Sequence, residues 1–275
     1  MRSISSTVRL SSAELRREVS GRSLRLAEGR PHEATLSAIP SVLFQEADGV
    51  HGNFLAASYR RICASPDWSR RLKKCYTASN QLARSSDRIR RELDCANSSD
   101  ALLMNIFCYP GVTSRGAVCA LLGVERGLRP RFGVKPGSPL VSGRADRTEI
   151  DMALGHLLVE AKLTEGGFQN ARSDLVLQYQ GLCEVFEVGD LPVSAGRFHS
   201  YQLVRGIMAA RHRERSFLVL CDGRRLDLIE AWYRVLRAVR SCELRSKMAL
   251  LTWQELSRVL PVRLQRFLER KYGIC

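Results

Sequence analysis

Thr148-Glu149-Ile150-Asp151-Met152-Ala153 and Leu157-Leu158-Val159-Glu160-Ala161-Lys162-Leu163 flank a turn placed at Leu154-Gly155. Both runs alternate polar with apolar residues, the period of a β-strand. Glu149 and Asp151 therefore share one face of the first strand, and Glu160 and Lys162 share one face of the second. A loop of two or four residues makes these the same face, and a loop of four sets Asp151 opposite Glu160. Facing carboxylates destabilise a ladder unless a cation compensates them. A hard divalent ion bound through oxygen, with Lys162 beside it, would supply that charge. The competing reading is a solvated outer hairpin. It fits poorly with Ile150, Met152, Val159, Ala161 and Leu163, which are as apolar as a central strand requires. Thr164-Glu165-Gly166-Gly167-Phe168 then breaks the second strand.

Outward from the hairpin, the pattern predicts a long helix over 170–188, with Leu175, Leu182, Val185 and Phe186 facing inward. Gln178 and Gln180 project from it, either into a nucleic-acid cleft or into solvent. Tyr201–Arg211 reads as another helix. Ser216–Cys221 is a continuous apolar run, the signature of a strand buried on both faces. A helix over Leu226–Arg240, a short strand over Met248–Leu251 and two terminal helices separated near Pro261 complete this half. Upstream, a short strand fits Arg131–Val134. Helices fit 51–64, 68–82, 84–94 and the apolar stretch from Ser98 or Ser99, whose hydroxyl caps it. Residues 1–44 read as a flexible tail holding one short helix near Ser12–Val19, and 45–275 as a single domain. The order of elements is α/β, with a mixed central sheet flanked by helices.

The chain of 275 residues is 45% hydrophobic and 26% charged, the composition of a globular protein. No apolar run approaches the ~20 residues that cross a bilayer, and no secretory signal is visible. Nine cysteines without metal-ligand spacing read as reduced thiols, several of them in the core, as with Cys108, Cys119, Cys183 and Cys221. That points to a reduced, cytoplasmic setting. The net charge of +15 is unevenly placed. Residues 60–91 carry ten Lys/Arg against two acids and 203–275 carry sixteen against seven, whereas 92–203 carry ten against thirteen. Basic flanks around an acidic centre suit a protein that grips a polyanion, here DNA. Arg70, Arg71, Lys73 and Lys74 form the densest cation cluster, as phosphate contacts or as a solvated helical face. Glycine-rich nucleotide loops, a nucleophile elbow and HExxH are all absent.

Asp151 followed by Glu160-Ala161-Lys162 resembles the signature of the PD-(D/E)xK nuclease superfamily. Further stretches resemble a bacterial family of restriction endonucleases: Arg91–Asp94, Asn97–Phe107, Leu251–Leu256 and Phe267–Ile274. The resemblance spans roughly 45–275, with Ile150 where the signature has proline. It implies a restriction-endonuclease-like core and Mg²⁺-dependent (or Mn²⁺-dependent) hydrolysis of DNA, with a homodimer for double-strand cutting. Asp151 and Glu160 would be the principal metal ligands, Glu149 or Glu92 an auxiliary one, and the Ala161 carbonyl a further one. Lys162 would act on the attacking water, as base or as fixed charge. Glu92 could instead simply balance Arg88. A repair or processing nuclease, or an inactive DNA-binding scaffold, are the competing functions.

Overall fold

The computed structural model describes residues 9–35, 41–75 and 91–275. Contacts divide the chain into two compact units. One comprises residues 1–12 and 133–252, the other 13–132 and 253–275.

The first unit is built on a five-stranded sheet. Its strands, numbered in chain order, are β1 Arg131–Val134, where the chain passes between units, β2 Ile150–Leu154, β3 Leu157–Ala161, β4 Ser216–Cys221 and β5 Met248–Thr252. Across the sheet they run β5-β4-β3-β2-β1. The β2/β3 pair is antiparallel, whereas β3/β4 and β4/β5 are parallel. A two-residue turn joins β2 to β3, with Gly155 at φ 57 in the left-handed region that such tight turns demand. Leu154 belongs to the strand, so the turn is Gly155-His156, one residue later than the sequence suggested. Parallel neighbours need a crossover. Helices Tyr201–His212 and Leu226–Leu236 lie in the two connections.

The continuous apolar run of β4 is explained by its place between two parallel partners, where both faces are covered. Phe217, Val219 and Cys221 join Leu203, Ile207, Trp232 and Val239 in the main core cluster. Gly206 is the point of closest approach. A Cβ there would lie 2.2 Å from Phe217 Cζ, so the helix packs against the β4 side chain only because no Cβ is present. Gly206→Ala should cost about 1–3 kcal/mol through overpacking, against the small helix-propensity gain alanine normally brings. Equilibrium denaturation checks this; a stabilised variant would contradict the packing.

The long helix predicted over 170–188 does not form. The segment contains a short strand Ala171–Arg172, helical turns Ser173–Val176 and Leu182–Val185, and a 3-10 turn Val188–Asp190. Gly181 at φ 74 interrupts the helical path, and Ala171–Arg172 pairs with Arg197–Phe198 instead. Val176 and Leu182 are buried, but Leu175 is exposed, the reverse of its predicted inward role.

The second unit is mainly helical. Ser98 caps helix Ser99–Phe107 by accepting the Ala101 N–H at 3.1 Å, and every residue of that helix is buried. Around Met104 and Ala101 pack Phe54, Tyr59, Ile62, Trp68 and Leu93. Helix Ser12–Ala27 extends beyond the predicted Ser12–Val19, with Leu15, Val19 and Ala27 buried. The helix expected over 51–64 is shorter, Ala56–Cys63. The one expected from Trp68 is a helical turn, Pro66–Ser69, followed by a 3-10 turn, Arg70–Lys73. Lys74 and Cys75 are not helical, and residues 76–82 of that helix, with the expected helix over 84–94 as far as residue 90, lie outside the described residues; Glu92–Asp94 is a 3-10 turn. Among the described residues no helix is long and apolar enough to cross a membrane.

Candidate active site

Pairing between β2 and β3 runs from Leu154/Leu157 through Ala153/Leu158 to Met152/Val159. One step further sets Asp151 against Glu160, on the same face, as opposed residues of an antiparallel pair must be. Here the acidic side chain enters the backbone pattern. The Ala161 N–H donates 2.7 Å to Asp151 Oδ2, tying the carboxylate across the hairpin. On the other side β4 fixes the strand end, since the Lys162 N–H donates 2.8 Å to the Leu220 carbonyl. Glu160 on β3 and Lys162 just past its end therefore hang from a central, clamped strand.

Glu160 is 1% exposed and Lys162 5%, so neither charge could persist there alone. Lys162 Nζ donates 2.7 Å to Glu160 Oε1, and Arg205 Nη2 lies 3.5 Å from Glu160 Oε2. Burial by itself would lower the lysine. The carboxylates of Glu160, Asp151 and Glu165 outweigh it and hold the ammonium above its ordinary range. Lys162 is accordingly a cation at neutral pH in the metal-free site. Glu165 also accepts the Leu163 N–H at 2.6 Å, which fixes the chain as it leaves the strand. Asp151, by contrast, is only half-buried, leaving the acidic face open at that edge.

Arg205 is the residue the sequence reading missed. Its signal was a lone charge inside the apolar helical run Leu203-Val204-Arg205-Gly206-Ile207-Met208. Besides facing Glu160, it donates 2.8 Å to the Glu149 carbonyl and so bridges β3 to the entry of β2. Its helix is anchored at Tyr201, whose hydroxyl lies 2.8 Å from Tyr179 OH; that phenol donates 2.5 Å to Asp146 Oδ2, just upstream of β2.

Asp151, Glu160 and Lys162 are thus brought together, with the Glu149 backbone and the Ala161 amide beside them. Glu92 belongs to the second unit, where Lys74 Nζ lies 2.8 Å from its carboxylate. The cation cluster is divided. Arg71 is buried against Asp100 at 2.7 Å and Lys74 lies 3.1 Å from the same carboxylate, while Arg70 and Lys73 are exposed. Gln178 and Gln180 are exposed, and their backbones anchor the chain at Val141 and Pro139. The nine cysteines are all free thiols; Cys183, expected in the core, is exposed.

Among the described residues no three His, Cys, Asp or Glu side chains cluster so as to cage a metal ion. Two hard carboxylates on one face nevertheless fit Mg²⁺, which keeps several waters and needs only one or two protein carboxylates. They suit Mg²⁺ better than zinc, whose sites are built mainly from cysteine and histidine.

A family model described as "Restriction Endonuclease associating with ARP" matches residues 27–273. No curated protein and no solved structure matches the chain.

Proposed function

The chain belongs to this restriction endonuclease family, and from that membership we propose that it is a metal-dependent endodeoxyribonuclease of PD-(D/E)xK type, acting in restriction or defence. The observation that carries the reading is Asp151 facing Glu160 across a hairpin, with Lys162 on the same face. Phosphodiester hydrolysis needs a placed water, neutralisation of charge gathering at phosphorus, and help for the departing oxygen. Asp151 and Glu160 would hold Mg²⁺ or Mn²⁺, with Glu149 as an auxiliary ligand. When bound, the ion would act as a Lewis acid on the phosphate and lower the pKa of coordinated water.

Lys162 orients the attacking water and stabilises the negative transition state as a fixed ammonium. The ammonium form is the one favoured by its carboxylate neighbours, Glu160 first among them. The basic flanks supply duplex affinity, and a homodimer would place one site on each strand.

The test is incubation of pure protein with plasmid in Mg²⁺, with an EDTA control. Conversion to nicked, linear or fragmented DNA only in Mg²⁺ is expected, and intact plasmid in both would overturn the proposal. Calorimetry with Mn²⁺ separates the inactive-scaffold reading, which has no reason to bind the ion. That reading draws on Glu160 already facing two cations.

A further inference from the structure

We propose that Arg205 binds the non-bridging oxygens of the DNA phosphodiester at this site. The inference rests on the nuclease reading above and assigns a substrate contact within it. Three observations carry it.

The first is position. From its helix Arg205 reaches the Glu149 carbonyl at 2.8 Å and stands 3.5 Å from Glu160 Oε2, on the acidic face where Asp151 remains half-exposed. The second is how loosely the guanidinium is held on Glu160. Charge-assisted hydrogen bonds of this kind normally close to about 2.7–2.9 Å, a distance Lys162 reaches on the same carboxylate and Arg205 does not. The third is a buried donor left unfilled. Arg205 is 6% exposed, yet its Nε has no hydrogen-bond partner among the described residues. A buried donor left unmade costs about 1–3 kcal/mol, and such a cost is tolerated most readily where a ligand completes the bond.

A guanidinium is a planar fork with donors spaced for two oxygens of one tetrahedral or carboxylate group. Here a single nitrogen, Nη2, makes both the bond to the Glu149 carbonyl and the long contact to Glu160, and Nε is unfilled. That is the arrangement expected of an arginine awaiting a bidentate anion. Phosphate is the anion the surroundings select, because a carboxylate ligand would bring no matching need for the basic flanks or for the acid pair beside it. The helix holding Arg205 is itself immobilised by the close Gly206–Phe217 packing, so the fork is presented from a rigid element.

The experiment is binding of a short blunt DNA duplex in EDTA, followed by fluorescence anisotropy over a series of salt concentrations. It compares wild type, Arg205→Met and Arg205→Lys, each with its melting temperature. Working without metal keeps the readout independent of cleavage. Arg205→Met should bind about tenfold more weakly, the worth of a charged hydrogen-bonded contact. Its slope of log K against log salt should fall by about one. Arg205→Lys should restore the slope, because the charge remains, while recovering only part of the affinity, because the fork is lost.

If wild type binds and Arg205→Met shows an unchanged slope and affinity, the proposal is overturned and the nuclease reading stands. Equal loss of binding in both variants, accompanied by a fall in melting temperature, would make Arg205 structural and also overturn it. If wild type neither binds the duplex nor cleaves plasmid, both readings fall together, an outcome the wild-type arm reveals by itself.

Discussion

Asp151→Asn should reduce Mg²⁺-dependent plasmid cleavage by about a hundred- to a thousandfold, the scale on which loss of a single electrostatic group at a reacting centre is felt, without unfolding the protein. The substitution is chosen because the structural part of Asp151 survives it. Asparagine retains a carbonyl oxygen that can accept the Ala161 N–H now bonded at 2.7 Å, so the hairpin clasp remains. What disappears is the negative charge and the second anionic oxygen, both of which Mg²⁺ requires of its few protein ligands. Glu160 alone would then face any ion while Lys162 and Arg205 stand at 2.7 and 3.5 Å from it, a balance unfavourable to a second cation. The comparison with Lys162→Ala is instructive. That change also removes the close partner of a carboxylate only 1% exposed, so loss of activity would be mixed with loss of stability. Initial rates in Mg²⁺ and Mn²⁺, with melting temperatures alongside, make the measurement. Cleavage by Asp151→Asn at the wild-type rate would remove the acid pair from the mechanism altogether.

Period and polarity made the hairpin legible. Alternation in 148–153 and 157–163 fixed which side chains share a face, and β4 was readable residue for residue because a strand covered on both sides leaves an unbroken apolar run. The stretches Arg91–Asp94, Asn97–Phe107, Leu251–Leu256 and Phe267–Ile274 pointed to a restriction endonuclease family, and a family model of that kind matches residues 27–273. Two kinds of information were not readable. Segment 170–188 has helical periodicity, but Gly181 and the pairing of Ala171–Arg172 with Arg197–Phe198 divert the chain, and that pairing is set by residues 25 and 27 positions away. The roles of charged side chains were equally hidden. Arg71 and Arg70 are adjacent and identical in sequence terms, yet one faces a buried carboxylate and the other solvent. Arg205 was overlooked for the same reason. A charge in an apolar helix can be read only when its partner is known, and Glu160 lies 45 positions upstream.

That division of the cation cluster carries the second large effect, on stability. Arg71→Met should destabilise the protein by up to about 3–5 kcal/mol, the cost of breaking a buried ion pair, with Lys74 at 3.1 Å still offsetting part of the charge on Asp100. Arg70→Met should cost no more than about 1 kcal/mol, since Arg70 and its partner Asp67 are both largely exposed. The buried member is Asp100, 3% exposed in a helix with no exposed residue. Burial would raise its carboxyl, but Arg71 and Lys74 outweigh burial and hold it below the ordinary value of 3.8. A depressed carboxylate contributes stability that is fully present above its unfolded pKa and is lost as pH falls through the folded one. Wild type should therefore keep this contribution from neutrality down to about pH 3.8 and lose it only below. Glu92 behaves in the opposite sense. Burial, reinforced by Asp100, raises it above 4.5, so its ionised form is a liability that is relieved as pH falls through the raised value. In Arg71→Met the main force depressing Asp100 is gone, its carboxyl rises, and the penalty should shrink as acidification protonates it. Urea denaturation of wild type and variant at pH 7 and at pH 4.5 tests the sign, with the larger difference expected at pH 7. Asp100→Asn should recover part of the loss in the Arg71→Met background, because a neutral amide no longer needs the cation. A variant as stable as wild type at pH 7 would refute the buried-pair account. The same arithmetic governs any study of this cluster as a DNA contact: Arg70 and Lys73 can be neutralised to read phosphate binding, whereas Arg71 cannot, since its removal weakens the fold before it reaches the ligand.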